Sequence, residues 1–162
     1  MGYYDTKGHG ALSLYFLLPE VIPIEPFSIG LIRENSPAQV ADVAILASGP
    51  NFEGYLNRLE AAGKLRTSDY GFGLGELSAE TVPGNTAGDL NPRARQFLGV
   101  VDGQRVLISC MDYHVGGLFL RCQYTFSLSD YAVRLDIPVT FLPEWRTILD
   151  ALIRYAASQE GR

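Results

Sequence analysis

Histidine, cysteine and methionine each occur only twice in the 162 residues, and tryptophan once. Two His and two Cys cannot supply a multi-Cys/His zinc spacing, so no metal site is expected, and no motif calls for a cofactor. Two cysteines also exclude a disulfide-dense scaffold. Charge is sparse, at 19% of residues, and 13 Lys+Arg against 18 Asp+Glu leave a formal charge of −5. The nearest approach to a basic patch is Arg93 and Arg95, too little to neutralise phosphates, so nucleic acid is not expected as the partner. Long apolar runs are missing too. Ala11 to Leu18 is interrupted by Ser13 and stopped by Pro19-Glu20, far short of the ~20 residues that span a bilayer as a helix. No transmembrane segment is therefore expected. No small-x-small cleavage site follows that run. The expected location is cytoplasmic, the alternative being an exported form with its signal removed. Gly2 and Thr6 fit a loose myristoylation pattern that short sequences meet by chance.

What is present describes a folded domain. Apolar residues make up 47% and aromatics 11% of the chain, which excludes intrinsic disorder. The length suits one globular domain over 1–162, burying roughly 68–70% of its unfolded surface. Residues 11–18 and 27–33 read as strands, and Pro19, Pro23 and Pro26 make the connection extended. Ser36, Pro37 and Gln39 form a capping box before Val40, Val43, Ala44 and Ala47, which predicts a helix ended by Gly49-Pro50. A second short helix, capped by Asn51, carries Phe52, Tyr55, Leu56 and Leu59 and stops at Gly63. Residues 71–82 read as a glycine-weakened strand and 83–93 as a loop. Strands follow at about 94–101, 104–114, 118–127 and 132–141. A C-terminal helix from Pro143 to about Ser158 has Trp145, Ile148, Leu149, Leu152, Ile153 and Ala156 on one stripe, with Asp150 and Arg154 paired outside it.

The register can be carried further. Asp102-Gly103 is a two-residue hairpin signal that pairs Val101 with Gln104, Phe97 with Ile108 and Gly99 with Val106. A three-residue loop at 115–117 then pairs Ile108 with Tyr124, Cys110 with Cys122 and Ser109 with Gln123. A two-residue loop would mix the faces of a half-buried sheet. Val133, Leu135, Ile137, Val139 and Phe141 share the inner face. Pro138 cannot donate to a ladder, which makes its strand an edge or a bulged one. The fold class is thus α+β: an antiparallel meander of about 6–7 strands, packed by the C-terminal helix and a helix pair near residues 36–63. The outer face keeps Leu98, Leu107, Met111, Tyr113 and Phe119, either under the helix pair or as an interaction surface.

Candidate chemistry is thin. Cys110 and Cys122 face each other across strands, as a disulfide or as a core pair. Asp112 and His114 lie on the face of Cys110 near Tyr124, at the rim of the apolar face. With Trp145 they could line a small-molecule pocket. Glu76 and Glu80 share a strand face, where solvated carboxylates are commoner than a catalytic pair. Gly71-Phe72-Gly73-Leu74-Gly75 lacks the Gly-Lys-Ser/Thr and the helix start of a phosphate loop. No Gly-x-Ser-x-Gly elbow occurs, and no catalytic set emerges.

Phe27-Ser-Ile-Gly-Leu-Ile-Arg followed by a helix, and Ile137-Pro-Val-Thr-Phe-Leu-Pro-Glu-Trp-Arg-Thr-Ile-Leu-Asp-Ala-Leu-Ile, resemble PsbP-like domains. That resemblance implies an antiparallel sheet sandwiched by helices and a non-enzymatic binder, such as a bacterial effector chaperone, adaptor or lipoprotein domain. The element order is also similar to START-like cyclase and lipid-carrier domains, which implies a cavity under the C-terminal helix. Neither offers a motif through which a residue's role carries over. The expected function is macromolecular binding of chaperone, adaptor or immunity type. The partner would be another protein or a second copy. The alternative is a carrier of a small apolar ligand or a cyclase-type enzyme.

Overall fold

The structure is a computed structural model that describes residues 3–4, 11–24, 40–46, 52–77, 94–111, 121–128 and 131–160. Its centre is a six-strand antiparallel meander in chain order: β5 (Thr67–Gly71), β6 (Leu74–Leu77), β7 (Ala94–Val101), β8 (Gln104–Met111), β9 (Arg121–Leu128) and β10 (Tyr131–Pro138). Beyond β10 the sheet continues through β4 (Val40–Leu46) to β2 (Ala11–Leu17). Two short pieces, β1 (Tyr3–Tyr4) and β3 (Ile22–Pro23), pair with the far side of β2. The class is the expected α+β sheet, with more strands than the sequence predicts.

The hairpin chemistry decides the meander. Asp102 and Gly103 have φ of 49° and 78°, the doubly positive pair of a two-residue turn, and Val101 sits opposite Gln104. Phe97 meets Ile108 and Gly99 meets Val106, as the sequence register requires. Across the next pair Ile108 meets Tyr124, Ser109 meets Gln123 and Cys110 meets Cys122. The loop that sets this register, 112–120, lies outside the described residues.

Four sequence expectations are corrected. Residues 40–46 form a central strand, not a helix. Ala41, Val43 and Ile45 alternate toward the core, and pairing on both sides with β2 and β10 outweighs a weak helical period. The segment 71–82 is not one strand, because Phe72 and Gly73 have φ of 57° and 74° and turn β5 back as β6. Pro138 does not mark an edge strand. It ends β10, past the last β4 pair at Asp136, so the ladder to β4 asks nothing of its missing N–H. Val139 and Phe141 lie in a 3-10 turn, Val139–Glu144, rather than in a strand. The predicted strand 27–33, the Ser36 capping box, Asn51 and the 83–93 loop lie outside the described residues.

Among the described residues, two helices cover the sheet. Helix α1 (Phe52–Ala61) ends in a Schellman pattern, with Lys64 N donating to Leu59 O at 2.8 Å and Gly63 N to Glu60 O at 2.9 Å. Gly63 takes the left-handed φ of 65° that this cap needs. Helix α2 (Trp145–Glu160) lays Trp145, Ile148, Leu149 and Leu152 on the inner face. They pack with Phe16, Val43, Phe97, Ile108, Tyr124, Phe126, Leu135 and Ile137, all buried. At the β2 end Tyr155 meets Phe16 edge-on, ring centroids 5.2 Å apart. At the β7 end Trp145 lies on Gly99, so close that a Cβ there would stand 2.3 Å from the indole. Asp150 and Arg154 pair on the exposed side, as the i,i+4 spacing predicts.

Candidate functional site

The inner face is committed to packing, which leaves the outer face and the sheet's rim as the accessible surfaces. On the outer face, α1 covers one part. Leu56 packs with Leu77 and Leu107, flanked by Tyr55, Leu65 and Leu98. Arg105 on β8 fixes the helix from below. Its guanidinium donates to Glu53 Oε2 at 2.7 Å, Asn57 Oδ1 at 2.5 Å and Glu60 Oε2 at 3.3 Å, acceptors spaced four and three residues apart on one helix face. Of the two readings the sequence leaves for Leu98 and Leu107, the position is that of helix cover.

The other part of the outer face is polar. Tyr15 lies opposite Asp42, Asp42 opposite Asp136, and Asp136 opposite Gln123. Gln123 is in turn opposite Ser109, and Ser109 opposite Gln96. One cross-strand row therefore runs from β2 through β4, β10, β9 and β8 to β7, every side chain on the same face. Arg121, one pleat along β9, anchors the row. Its Nε donates to Asp136 Oδ1 at 2.8 Å and its Nη2 to the Val40 and Asp136 carbonyls at 2.8 and 2.5 Å, with Asp42 Oδ2 at 4.0 Å. The guanidinium is 27% exposed and the two carboxylates 36% and 43%. The row is half-exposed from Tyr15 to Ser109 and buried at Gln96, with Asp136 and Asp42 held by Arg121 and Gln96 within 3.5 Å of Ser109 Oγ. That suits recognition better than proton transfer.

At the rim, the β5–β6 turn carries an aromatic and cationic cluster. Phe72 is 55% exposed at the tip, and its carbonyl accepts the Trp145 Nε1–H at 2.8 Å. Arg95 stacks over the Tyr70 and Phe97 rings and pairs with Glu76 at 2.9 Å, so that carboxylate is tied up in an ion pair. Arg146 lies over Trp145 and against Gly73.

The residues singled out in the sequence are distributed differently. Cys110 and Cys122 form a disulfide between adjacent strands. Tyr124 is buried between Ile108 and Leu135, and Trp145 is buried in the core. The Tyr124 hydroxyl has no hydrogen-bond partner among the described residues, and burial pushes its pKa well above the usual phenol value. Asp112, His114, Tyr113, Phe119 and Glu80 lie outside the described residues, and of Met111 only the backbone, at the end of β8, is described. The pocket mouth is thus not assembled from described side chains. Among those residues no cluster of three or more His, Cys, Asp or Glu could hold a metal, and no helix is long and apolar enough to cross a membrane. The polar row was partly readable, because Ser109, Gln123 and Asp136 take the outer phase of their strands. Asp42 was hidden by the helix assignment, and the Phe72 tip by reading its glycines as strand.

By fold, the chain is an α+β domain with one open antiparallel sheet, a C-terminal helix on one face and a short helix on part of the other. No protein-family model matches it, and no curated protein does. Among solved structures it is similar to Smlt3025, an immunity protein of the Stenotrophomonas maltophilia type IV secretion system. Identity is 15% and the TM-score 0.65, over 95% of this chain and 83% of that one. A further match is the iron-regulated outer membrane lipoprotein FrpD of Neisseria meningitidis, at 10% identity and a TM-score of 0.42, over 84% and 67% of the two chains. The first likeness establishes a shared fold; the second is too distant to argue from.

Proposed function

We propose that this chain is a non-catalytic protein-binding domain of the immunity type, which acts by capping a partner protein. The observation that carries the reading is the half-exposed polar row on the outer face, in which Arg121 pre-sets Asp136 and Asp42. Side chains fixed before binding lose little entropy on association. The likeness to an immunity protein over nearly the whole chain supports the same reading. Chaperone or adaptor activity would use the same surface on a different partner. A small-molecule carrier is favoured only by the buried Tyr124 hydroxyl, which has no hydrogen-bond partner among the described residues. Against it, the inner face is filled by Trp145, Tyr124, Phe97 and Leu135, all buried.

The Cys110–Cys122 bond extends the proposal to compartment. A lasting disulfide needs an oxidising environment, which supports the exported alternative over the cytoplasmic expectation. Labelling native protein with a maleimide, before and after reduction, tests this point. Two thiols reactive without reduction would remove it.

The main test is co-purification with the products of the adjacent genes, followed by titration calorimetry. A stoichiometric complex with one of them is expected. A chain that stays alone with every such product, yet retains a tightly bound small molecule by mass spectrometry, would refute the reading.

A further inference from the structure

Phe72 is the most exposed large apolar side chain among the described residues, and its backbone is costly. Its φ of 57° lies in the left-handed region, where glycine or asparagine fits and a bulky side chain is strained. The fold recovers little for this. The described ring nearest to it is Tyr70, tilted, with centroids 6.4 Å apart. A residue that strains its turn without burying its side chain calls for a role beyond folding.

We propose that Phe72 is the anchor of the partner interface, entering an apolar pocket on the partner protein whose mouth carries a carboxylate facing Arg146. This inference rests on the protein-binding reading and names the contact that dominates it. The tip is held still by two bonds. The Trp145 indole N–H donates to the Phe72 carbonyl at 2.8 Å, and Gly71 N donates to Asp69 Oδ1 at 3.0 Å. Trp145 is itself fully buried, so the hairpin hangs from the core. A ring with two rotatable bonds on a fixed turn gives large contact area at small entropic cost. The charge beside it sets the chemistry of the pocket. Arg95 is already paired with Glu76, and Asp69 is committed to the turn. The Arg146 guanidinium lies against Gly73, its Nη2 2.8 Å from where a Cβ on that glycine would stand. Among the described residues Arg146 makes no ion pair, and its guanidinium lies over the Trp145 ring. A guanidinium stacked on an indole keeps its fork for a carboxylate, and aromatic–arginine combinations dominate the energetics of protein interfaces.

The test uses the full chain and whichever adjacent-gene product binds it. Phe72→Gly should weaken that complex about tenfold or more. Its Tm should stay level or rise by about 2–4 °C, because glycine relieves the positive φ. Arg146→Gln, which removes the charge, should weaken binding about threefold to tenfold, and Phe72→Leu should recover part of the loss seen with Phe72→Gly. Phe72→Gly binding within twofold of the parent would overturn the anchor while leaving the protein-binding reading intact. A fall in Tm of more than about 4 °C would show the ring to be structural and overturn it equally. Self-association by light scattering that Phe72→Gly abolishes would make the occupant a second copy, against the partner named here. Failure of every adjacent-gene product to bind would overturn both readings together.

Discussion

Replacing Gly99 by alanine probes how the C-terminal helix is seated. A Cβ at this position would lie 2.3 Å from Trp145 Cη2, 2.7 Å from Trp145 Cζ2 and 2.9 Å from Leu74 Cδ2. Carbon atoms rest at about 3.5–4.0 Å, so the indole would have to retreat by roughly 1 Å. It has nowhere to go. Trp145 is fully buried, Leu74 nearly so, and the indole N–H is tied to the Phe72 carbonyl. Overpacking of this kind costs about 1–3 kcal/mol. Loss of the Trp145–Phe72 hydrogen bond adds about 1 kcal/mol. Alanine's lower backbone entropy in a strand returns roughly 0.5–1 kcal/mol. The balance is a destabilisation of about 1–3.5 kcal/mol, or about 2–14 °C in Tm for a chain of this size. Trp145 is the only tryptophan, so its fluorescence during urea unfolding reads both stability and the site itself. Trp145→Phe removes the atoms that clash. A double-mutant cycle with Gly99→Ala should therefore show a favourable coupling of about 1 kcal/mol or more. A Gly99→Ala protein within about 0.5 kcal/mol of the parent, with an unshifted emission maximum, would refute the argument.

Three more outcomes are expected. Arg121→Gln should cost about 2 kcal/mol by urea titration, since charge-assisted bonds to two backbone carbonyls and the Asp136 carboxylate are lost together. A loss below about 0.5 kcal/mol would mean the polar row is not anchored there. Reduction, or the pair Cys110→Ala and Cys122→Ala, should cost about 3 kcal/mol, the loop-closure value for a 12-residue separation. An unchanged Tm under reductant would contradict it. Tyr124→Phe should be neutral or stabilising at pH 7, because the buried hydroxyl has no described hydrogen-bond partner. Burial raises the phenol pKa in the folded chain, so the unfolded chain ionises first as pH rises past about 10. Parent stability should then fall by about 1.4 kcal/mol per pH unit more steeply than that of Tyr124→Phe, and parallel alkaline curves would refute the assignment.

What could be read from the sequence was what local chemistry dictates. Asp102-Gly103 has one good solution, and the alternation after it carries the register as far as Cys110 opposite Cys122. The α2 stripe and the Gly63 stop were equally legible, because helical period and a left-handed cap are local properties. Residues 40–46 were not. Val40, Val43 and Ala44 fit a helix as well as Ala41, Val43 and Ile45 fit a strand. The choice is made by β2 and β10, which are distant in sequence. Pro138 misled for a related reason, since whether its missing N–H matters depends on where β4 ends. The outer polar row was half visible. Three of its members follow from the β8–β9–β10 alternation, whereas Asp42 needed β4 to be a strand.

Trp145 ties the core and the rim together, so the two are not independent. Its ring fills the space left by Gly99, and its N–H holds the Phe72 carbonyl. The indole is thus the one described side chain that both seats α2 and fixes the exposed tip. A displaced ring cannot keep a 2.8 Å bond to a carbonyl on a different hairpin, so a disturbance at Gly99 must reach Phe72 even though Gly99 is buried. Arg121, which anchors the outer polar row, has no such contact among the described residues. Arg121 answers to Asp136, Asp42 and the Val40 carbonyl, all on strands remote from β5 and β6. If the tip anchors a partner, Gly99→Ala should weaken binding beyond what its loss of stability explains. Arg121→Gln should weaken it only where the polar row itself is contacted. Measuring both against one partner separates a docking tip from a docking face, a distinction the shared fold alone does not draw.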